Sequence, residues 1–263
     1  MNSSRKIILI SGCNKGIGYT LVEMMIKQKV EMNIIFTARN DNLGNSSLNS
    51  LISKYPDSKK YLFYHQLDIT KKDSINSIVN WIKTKFNKID ILFNNAGIYT
   101  APRNDVINTN VFGTFNITRI FLENDIINEN GKIISVGSGL GSFSCAGNHI
   151  TDFKNARTVN DLITLANRYL KENWSGDPYS ISKLIIHLFA KVLGENGEIK
   201  NKNISVYAMD PGWCRTDMGG YGAPNPPEHG ANIGLFLIKL PYGINPKLQG
   251  KYFNNPSEQP ASF

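Results

Sequence analysis

Residues Ser11 to Gly18 read SGCNKGIG, between an apolar, β-branched run, Lys6 to Ile10 (KIILI), and an amphipathic segment that begins near Tyr19. A strand feeding a glycine-rich turn that opens a helix presents backbone N–H groups and a helix N-terminus, where phosphates dock. The stretch therefore suggests a nucleotide-binding βα unit. Taken alone it does not decide the matter, because many βα turns carry glycines for steric reasons, and flavin and methyl-donor folds use similar loops.

Outward from that turn the chain alternates strand-like and helix-like segments to its end, the pattern of a parallel sheet covered on both faces. Leu21, Val22, Met24, Met25 and Ile26 supply the core side of a first helix. Further strands are expected at Asn33–Ala38, Tyr61–Leu67, Ile89–Phe93, Lys132–Val136 and Asn203–Ala208, with a short terminal one at Lys251–Asn254. Helices are expected around Leu48–Tyr55, then at Lys72–Phe86, Asp105–Glu123, Asp161–Glu172 and Glu228–Leu240. The best-specified helix follows Asp177: Asp at the N-cap, Pro178 at the first helical position, then Ile181, Leu184, Ile185, Leu188, Phe189 and Val192 at helical spacing until Gly194. Gly137–Gly147 looks small and flexible, and Asp210–Pro227 is a glycine- and proline-rich loop. The expected fold class is α/β, a doubly wound, Rossmann-type parallel sheet with helices on both faces, in one domain spanning residues 1–263.

Composition narrows the function. Hydrophobic residues make up 41% and charged ones 19%, a globular profile, and no run reaches membrane-spanning length, so no membrane partner is expected. The chain enters its first strand directly after Met1–Lys6, which leaves no room for a signal peptide and makes the cytoplasm the expected address. The formal charge of +8 is spread along the chain without a dense basic run, so a solvated surface is expected rather than a nucleic-acid partner. Cys13, Cys145 and Cys214 are far apart and lack CxxC spacing, and the four histidines are dispersed; neither a disulfide framework nor a metal site is expected.

The chemistry gathers at the predicted carboxyl edge of the sheet. Tyr179 and Lys183, in YSISK, stand one helical turn apart, and an ammonium beside a phenol favours its phenolate. Such a pair on its own is more often an ordinary surface contact. Ser138 falls just past the fifth strand, Asn94-Asn95-Ala96-Gly97 closes the fourth, and Asn110 lies in the helix that follows. Singly, each has a bland explanation as a turn, loop or solvated helix residue.

Together these residues resemble the short-chain dehydrogenase/reductase family over nearly the whole chain. SGCNKGIG matches the family's TGxxxGxG with Ser11 for Thr, NNAG is intact, and Asn110, Ser138, Tyr179 and Lys183 stand in the family's catalytic positions and order. LDI at Leu67–Ile69 and PGWCRTDM at Pro211–Met218 match two further cofactor segments. Within the family, NKGIG, TAR, DPYSISK and PGWxRTDM point to the carbonyl reductase branch. The resemblance implies cofactor contacts from Gly12, Asn14, Lys15, Gly16, Ile17 and Gly18, from Asp68 and Ile69 at the adenine, and from Asn95, Ala96 and Gly97. It extends them to Tyr179 and Lys183 and, at the nicotinamide end, to Pro211, Gly212, Cys214 and Thr216.

NAD-binding folds place an acid about 20 residues past the glycines to take the ribose 2′-hydroxyl. Here that region offers Ala38 and Arg39, with Lys15 inside the glycine turn; two cations favour a 2′-phosphate, hence NADPH/NADP over NAD, although Asp41 stands close by. The implied reaction is hydride transfer from NADPH to a carbonyl carbon of a ketone, aldehyde or quinone while Tyr179 protonates the oxygen. In it Ser138 hydrogen-bonds that oxygen, Lys183 holds the nicotinamide ribose and lowers the phenol's pKa, and Asn110 positions a relaying water. The same residues serve an NADP-dependent alcohol or hydroxysteroid dehydrogenase working oxidatively; a non-catalytic dinucleotide sensor is disfavoured because all four catalytic positions are kept. The 41 positions from Ser138 to Tyr179 hold an inserted helical segment, about 145–175, of the kind that marks monomeric carbonyl reductases, so a monomer is expected. The substrate pocket should be walled by Ile98–Pro102, Leu140–His149, Trp174 and Trp213–Tyr221. The segment between Gly97 and Asn110 is shorter than in the larger carbonyl reductases, which should leave that pocket more open.

Overall fold

A computed structural model of the chain describes residues 5–172, 174–257 and 259–262. Seven strands form one parallel sheet in the order β3-β2-β1-β4-β5-β6-β7. They are β1 (Lys6–Ile10), β2 (Met32–Ala38), β3 (Leu62–Gln66), β4 (Ile89–Asn94), β5 (Ile127–Val136), β6 (Ser205–Met209) and β7 (Lys251–Phe253). The expected doubly wound sheet is therefore what forms.

Strand side chains alternate between two apolar layers, as the two-residue repeat requires. Leu9, Ile35, Leu92, Ile133, Val206 and Tyr252 point into one layer. Their neighbours Ile8, Ile34, Phe93, Ile134, Tyr207 and Phe253 point into the other. Helices α1 (Gly16–Lys27), α2 (Asp41–Lys54) and α10 (Pro227–Lys239) close the second layer. The first is closed by α3 (Lys72–Lys85), α5 (Thr114–Glu123) and α8 (Pro178–Glu195), together with α4 (Arg103–Ile107), α6 (Ile150–Asn155) and α7 (Val159–Lys171). A short α9 (Gly197–Asn201) follows α8. Ile181, Leu184, Ile185 and Leu188 of α8 are buried, and burying each contributes about 1.5–3 kcal/mol. This packing locks the helix that carries the candidate acid against the sheet.

The strand order reverses between β1 and β4, so the crevice for a ligand opens at the carboxyl ends of those strands. Several local expectations change. The second helix starts at Asp41 rather than near Leu48, because Asn40 caps it by accepting from Leu43 N at 3.0 Å. Only Gly44, Leu48 and Leu51 of it are buried, which is why its sequence reads as a polar loop. The long helix expected at Asp105–Glu123 is divided by a π-helical turn, Asn108–Gly113, that contains Asn110. Helix α6 falls within the inserted segment expected at about 145–175, whereas α9, five residues long, lies outside the expected pattern.

Candidate active site

The glycine turn is built around Ser11 and Asn95. Ser11 Oγ accepts from Asn95 N (3.0 Å) and Ala96 N (2.9 Å), and Asn95 Nδ2 donates back to Ser11 O (2.8 Å) and Gly12 O (2.9 Å). The motif after β4 thus fixes the motif after β1. Gly12 has φ +70°, and Gly18 lies so close to Asn95 that a Cβ there would stand 2.6 Å from Nδ2. The first turn of α1 holds no acidic residue, and Lys15 at its N-cap makes no side-chain cap, leaving the helix N-terminus to an anion.

Around that turn the other expected cofactor residues collect. Asn14 O accepts from Ser47 Oγ (2.8 Å), Ile17 packs towards Gly230, and Thr216 faces Gly16 across the cleft. Asp68 Oδ1 is held by Thr70 N and Oγ1 (2.9 and 2.7 Å), while Ile69 is buried against Gly113. Arg39 is exposed and lines a groove of about 730 Å³ with Thr70, Lys71 and Ile98. Asp41 occupies the first turn of α2, where its charge complements the helix N-terminus. Lys15 Nζ is paired with Asp217 at 2.8 Å, an exposed ion pair worth little by itself. Gly212, at φ +73°, donates to Asp210 Oδ1 (2.8 Å), and Cys214 Sγ donates to Pro211 O (3.1 Å).

Tyr179 sits at the mouth, 9% exposed, on the first turn of α8. Its hydroxyl lies 4.0 Å from Met218 Sδ, and Tyr99 meets its ring edge-on with centroids 4.8 Å apart. Burial pushes the phenol up to about 12, and the neighbouring Ser138 side chain, whose Oγ accepts from Leu140 N at 3.3 Å, works against that rise. Lys183 Nζ donates to Val136 O at 2.7 Å and lies 5.3 Å from the Tyr179 ring centroid. Burial brings its ammonium down to about 8, against the attraction of Asp210. Asn110 is fully engaged: Oδ1 accepts from Ile98 N (2.9 Å), and Nδ2 donates to Ile98 O (2.9 Å) and Ser182 Oγ (3.0 Å). Its side chain anchors the wall beside Gly97, where a Cβ would lie 3.6 Å from Lys183 Nζ.

The four candidate catalytic residues therefore converge on one edge, and the rim about them carries the exposed Tyr99, Leu140, Trp213 and Met218. Trp174, expected in the pocket wall, is instead buried: it stacks on His149 (3.7 Å) and meets Phe153 and Tyr169 edge-on, in the core beneath α6 and α7. Within Gly137–Gly147, read as flexible, Gly137, Gly141 and Ala146 are buried, whereas Gly139, Leu140, Ser144 and Gly147 are exposed. Gly139 faces Asp210 Oδ2, and Gly141 lies flush on the backbone of Lys183 and Leu184. The thiols of Cys13, Cys145 and Cys214 are all raised by burial, which keeps them protonated at neutral pH. Three residues that enter the site went unremarked in the sequence, Asp210, His187 and Tyr252. His187 alone had a signal, standing one turn beyond Lys183 on the Tyr179 stripe.

A model of the short chain dehydrogenase family matches residues 6–150, and the chain belongs to that family. It is 28% identical over 267 residues to an NADPH carbonyl reductase 1 from Rattus norvegicus, covering 92% of this chain and 94% of that protein. Among solved structures, salutaridine reductase from Papaver somniferum superposes with a TM-score of 0.81 at 22% identity, over 95% of this chain and 99% of that one. An NADPH-bound carbonyl reductase from chicken fatty liver gives 0.73 at 20%, over 98% and 99%. The expected family and fold are thus borne out. Among the described residues, no helix is long and apolar enough to cross a membrane, and no group of three His, Cys, Asp or Glu side chains is placed to hold a metal ion.

Proposed function

We propose that the protein reduces a carbonyl compound to an alcohol with NADPH. The observation that carries this reading is the Tyr179 hydroxyl at the open mouth, close enough to Ser138 for that side chain to ease its ionisation, with the Lys183 ammonium held behind it by Val136 O. The cradle suits the dinucleotide: the helix N-terminus of α1 lacks a cap and an acid, and Arg39 lines the groove that would take a 2′-phosphate, with Lys15, paired to Asp217, in the glycine turn. Asp68 and Ile69 would hold the adenine, Asn95 to Gly97 the middle of the cleft, and Pro211, Gly212, Cys214 and Thr216 the nicotinamide end. When bound, NADPH supplies the hydride to the carbonyl carbon.

The chain's own residues then handle the oxygen. Ser138 and Tyr179 direct two hydroxyls at it, so that charge developing there is met by fixed donors. Tyr179 gives up its proton, and the ammonium of Lys183 steadies the phenolate left behind. Asn110 contributes by holding Ile98 and the wall beside Lys183 in place. The aromatic and thioether rim, Tyr99, Trp213 and Met218, favours flat, apolar carbonyls such as quinones and aromatic ketones or aldehydes. Loss of NADPH absorbance on mixing with a panel of such compounds tests the assignment, and no turnover with any of them would defeat it. We read the protein as a monomer of one domain, because α7 packs against α4 and α8 and covers that flank; a dimer mass in solution would overturn this.

A further inference from the structure

The stripe that carries Tyr179 and Lys183 runs one turn further along α8 to His187, 1% exposed. Its two ring nitrogens face the turn that bears Ser138. Nδ1 lies 3.0 Å from Gly141 O, and Nε2 lies 3.3 Å from Ser138 N. The turn between them is closed by Gly141 N donating to Ser138 O at 2.9 Å. A carbonyl can only accept and an amide N–H can only donate, so Nδ1 must carry the proton and Nε2 the lone pair. One neutral tautomer satisfies both ends of the turn, and neither the other tautomer nor the imidazolium does.

The surroundings are shaped for this ring. Gly137, just before the serine, is bare where a Cβ would fall 2.1 Å from Nε2. Tyr252 of β7 lies against the imidazole with centroids 4.3 Å apart, and its hydroxyl donates to Asp210 Oδ2 at 3.3 Å. Among the described residues, Lys183 from its own helix, Tyr252 from β7 and Asp210 beyond β6 are titratable neighbours of the ring's surroundings. Burial, with a smaller push from Lys183, brings the imidazole down to about 3, so it stays neutral throughout the range in which proteins work.

We propose that His187 is the positioning residue of the site: its imidazole grips both ends of the Ser138–Gly141 turn and so fixes the Ser138 hydroxyl against Tyr179. This rests on the carbonyl reductase reading, in which that hydroxyl meets the substrate oxygen. His187 touches neither substrate nor cofactor and acts through Ser138 alone.

Three substitutions separate this from simple space-filling. His187→Gln can still offer an acceptor where Nε2 lies, His187→Asn a donor where Nδ1 lies, and His187→Leu neither. With His187→Leu, kcat should fall by about 100-fold, the scale of a misplaced reacting group, while KM for NADPH stays within about two-fold. Alcohol oxidation should also need higher pH, because a displaced serine no longer eases ionisation of Tyr179. His187→Gln should keep more turnover than His187→Asn. A folded His187→Leu with wild-type kcat and pH profile overturns the proposal. If that variant does not fold, a Gln variant no faster than the Asn variant overturns it instead. Nitrogen NMR of the wild-type imidazole gives a readout independent of activity. A proton on Nδ1 and no titration between pH 5 and 8 support the clamp; a proton on Nε2, or titration in that range, defeats it. Should the wild-type protein reduce no carbonyl, the functional reading falls and the catalytic meaning of the clamp with it, whereas the NMR result still decides whether the clamp exists.

Discussion

Two glycine-rich turns meet at the carboxyl edge of the sheet, Ser11–Gly18 after β1 and Gly137–Gly141 after β5. In the first, Gly12 and Gly16 take left-handed backbone, at φ +70° and +61°, and Gly16 has only the Thr216 side chain near it, 3.6 Å from where a Cβ would stand. In the second, none of the three glycines has a positive φ; each is bare because another group presses on it, His187 on Gly137, Asp210 on Gly139 and the α8 backbone on Gly141. The first turn bends the chain and, although Ala96 presses on Gly12 and Asn95 on Gly18, leaves Gly16 and the N-terminus of α1 open as a cradle. The second is filled from behind, which sets where a single hydroxyl points. One surface is arranged to receive a large ligand and the other to hold one small group still.

The largest effect should come from the residue that faces both surfaces. Replacing Tyr179 with Phe removes the acid and leaves the cradle untouched, so turnover should drop about 10²- to 10⁴-fold with NADPH binding, measured by fluorescence titration, nearly unchanged. A variant that turned over at the wild-type rate would remove the acid from Tyr179. One that lost NADPH binding in parallel would show that the two surfaces are not separable.

Alanine at each turn sharpens the contrast further. Gly137→Ala drives a Cβ into the imidazole of His187, so it should cost about 1–3 kcal/mol in denaturant unfolding and lower kcat while KM for NADPH holds. Gly16→Ala should cost about 1–2 kcal/mol through backbone strain alone and raise KM for NADPH while kcat at saturation holds. Matching kinetic losses in both variants would erase the distinction between a cradle and a clamp.

These two turns also differ in how readable they were. SGCNKGIG announces itself because its signals are local, a strand before it, a helix after it and glycines where the chain must bend, even though Asn95 and Ala96 brace it from the end of β4. GSGLG, at Gly137–Gly141, looks merely flexible, because the groups that press on it arrive from α8 and from the end of β6, far along the chain. His187 hid for the same reason, at a helix position where burial among Leu184, Leu188 and their neighbours was the natural assumption. Most strands were legible from short apolar runs, β-branched in β1, β2 and β4 and aromatic in β3, whereas the π-helical turn around Asn110 was not, since it interrupts a segment whose composition is helical throughout. Trp174 was misplaced because an aromatic side chain in a loop looks like pocket wall until the local core that encloses it is seen.

On the cradle side, Arg39→Asp replaces a cation with an anion beside the groove that would take the 2′-phosphate. A charge-assisted contact is worth about 1.5–3 kcal/mol, so KM for NADPH should rise about 10- to 100-fold and KM for NADH should change far less. Equal changes for both cofactors would place the phosphate elsewhere.

The smallest effect is a pH slope on the packed side, where Gly141 rests on the backbone of Lys183. Burial holds the Lys183 ammonium at about 8 in the folded protein, whereas an unfolded chain titrates near ~10.4. Between those values the unfolded state binds more protons, so this group's contribution to stability rises with pH across the interval and is flat below it. Lys132, another buried lysine brought to about 8, adds a slope of the same sign. Lys183 is therefore read from the difference between proteins rather than from the slope itself. Urea midpoints at pH 7.5 and 9.5 should climb more for the wild type than for Lys183→Met. Equal climbs would mean that Lys183 ionises as a solvated lysine does, and that the clamp side of the site is wetter than its packing implies.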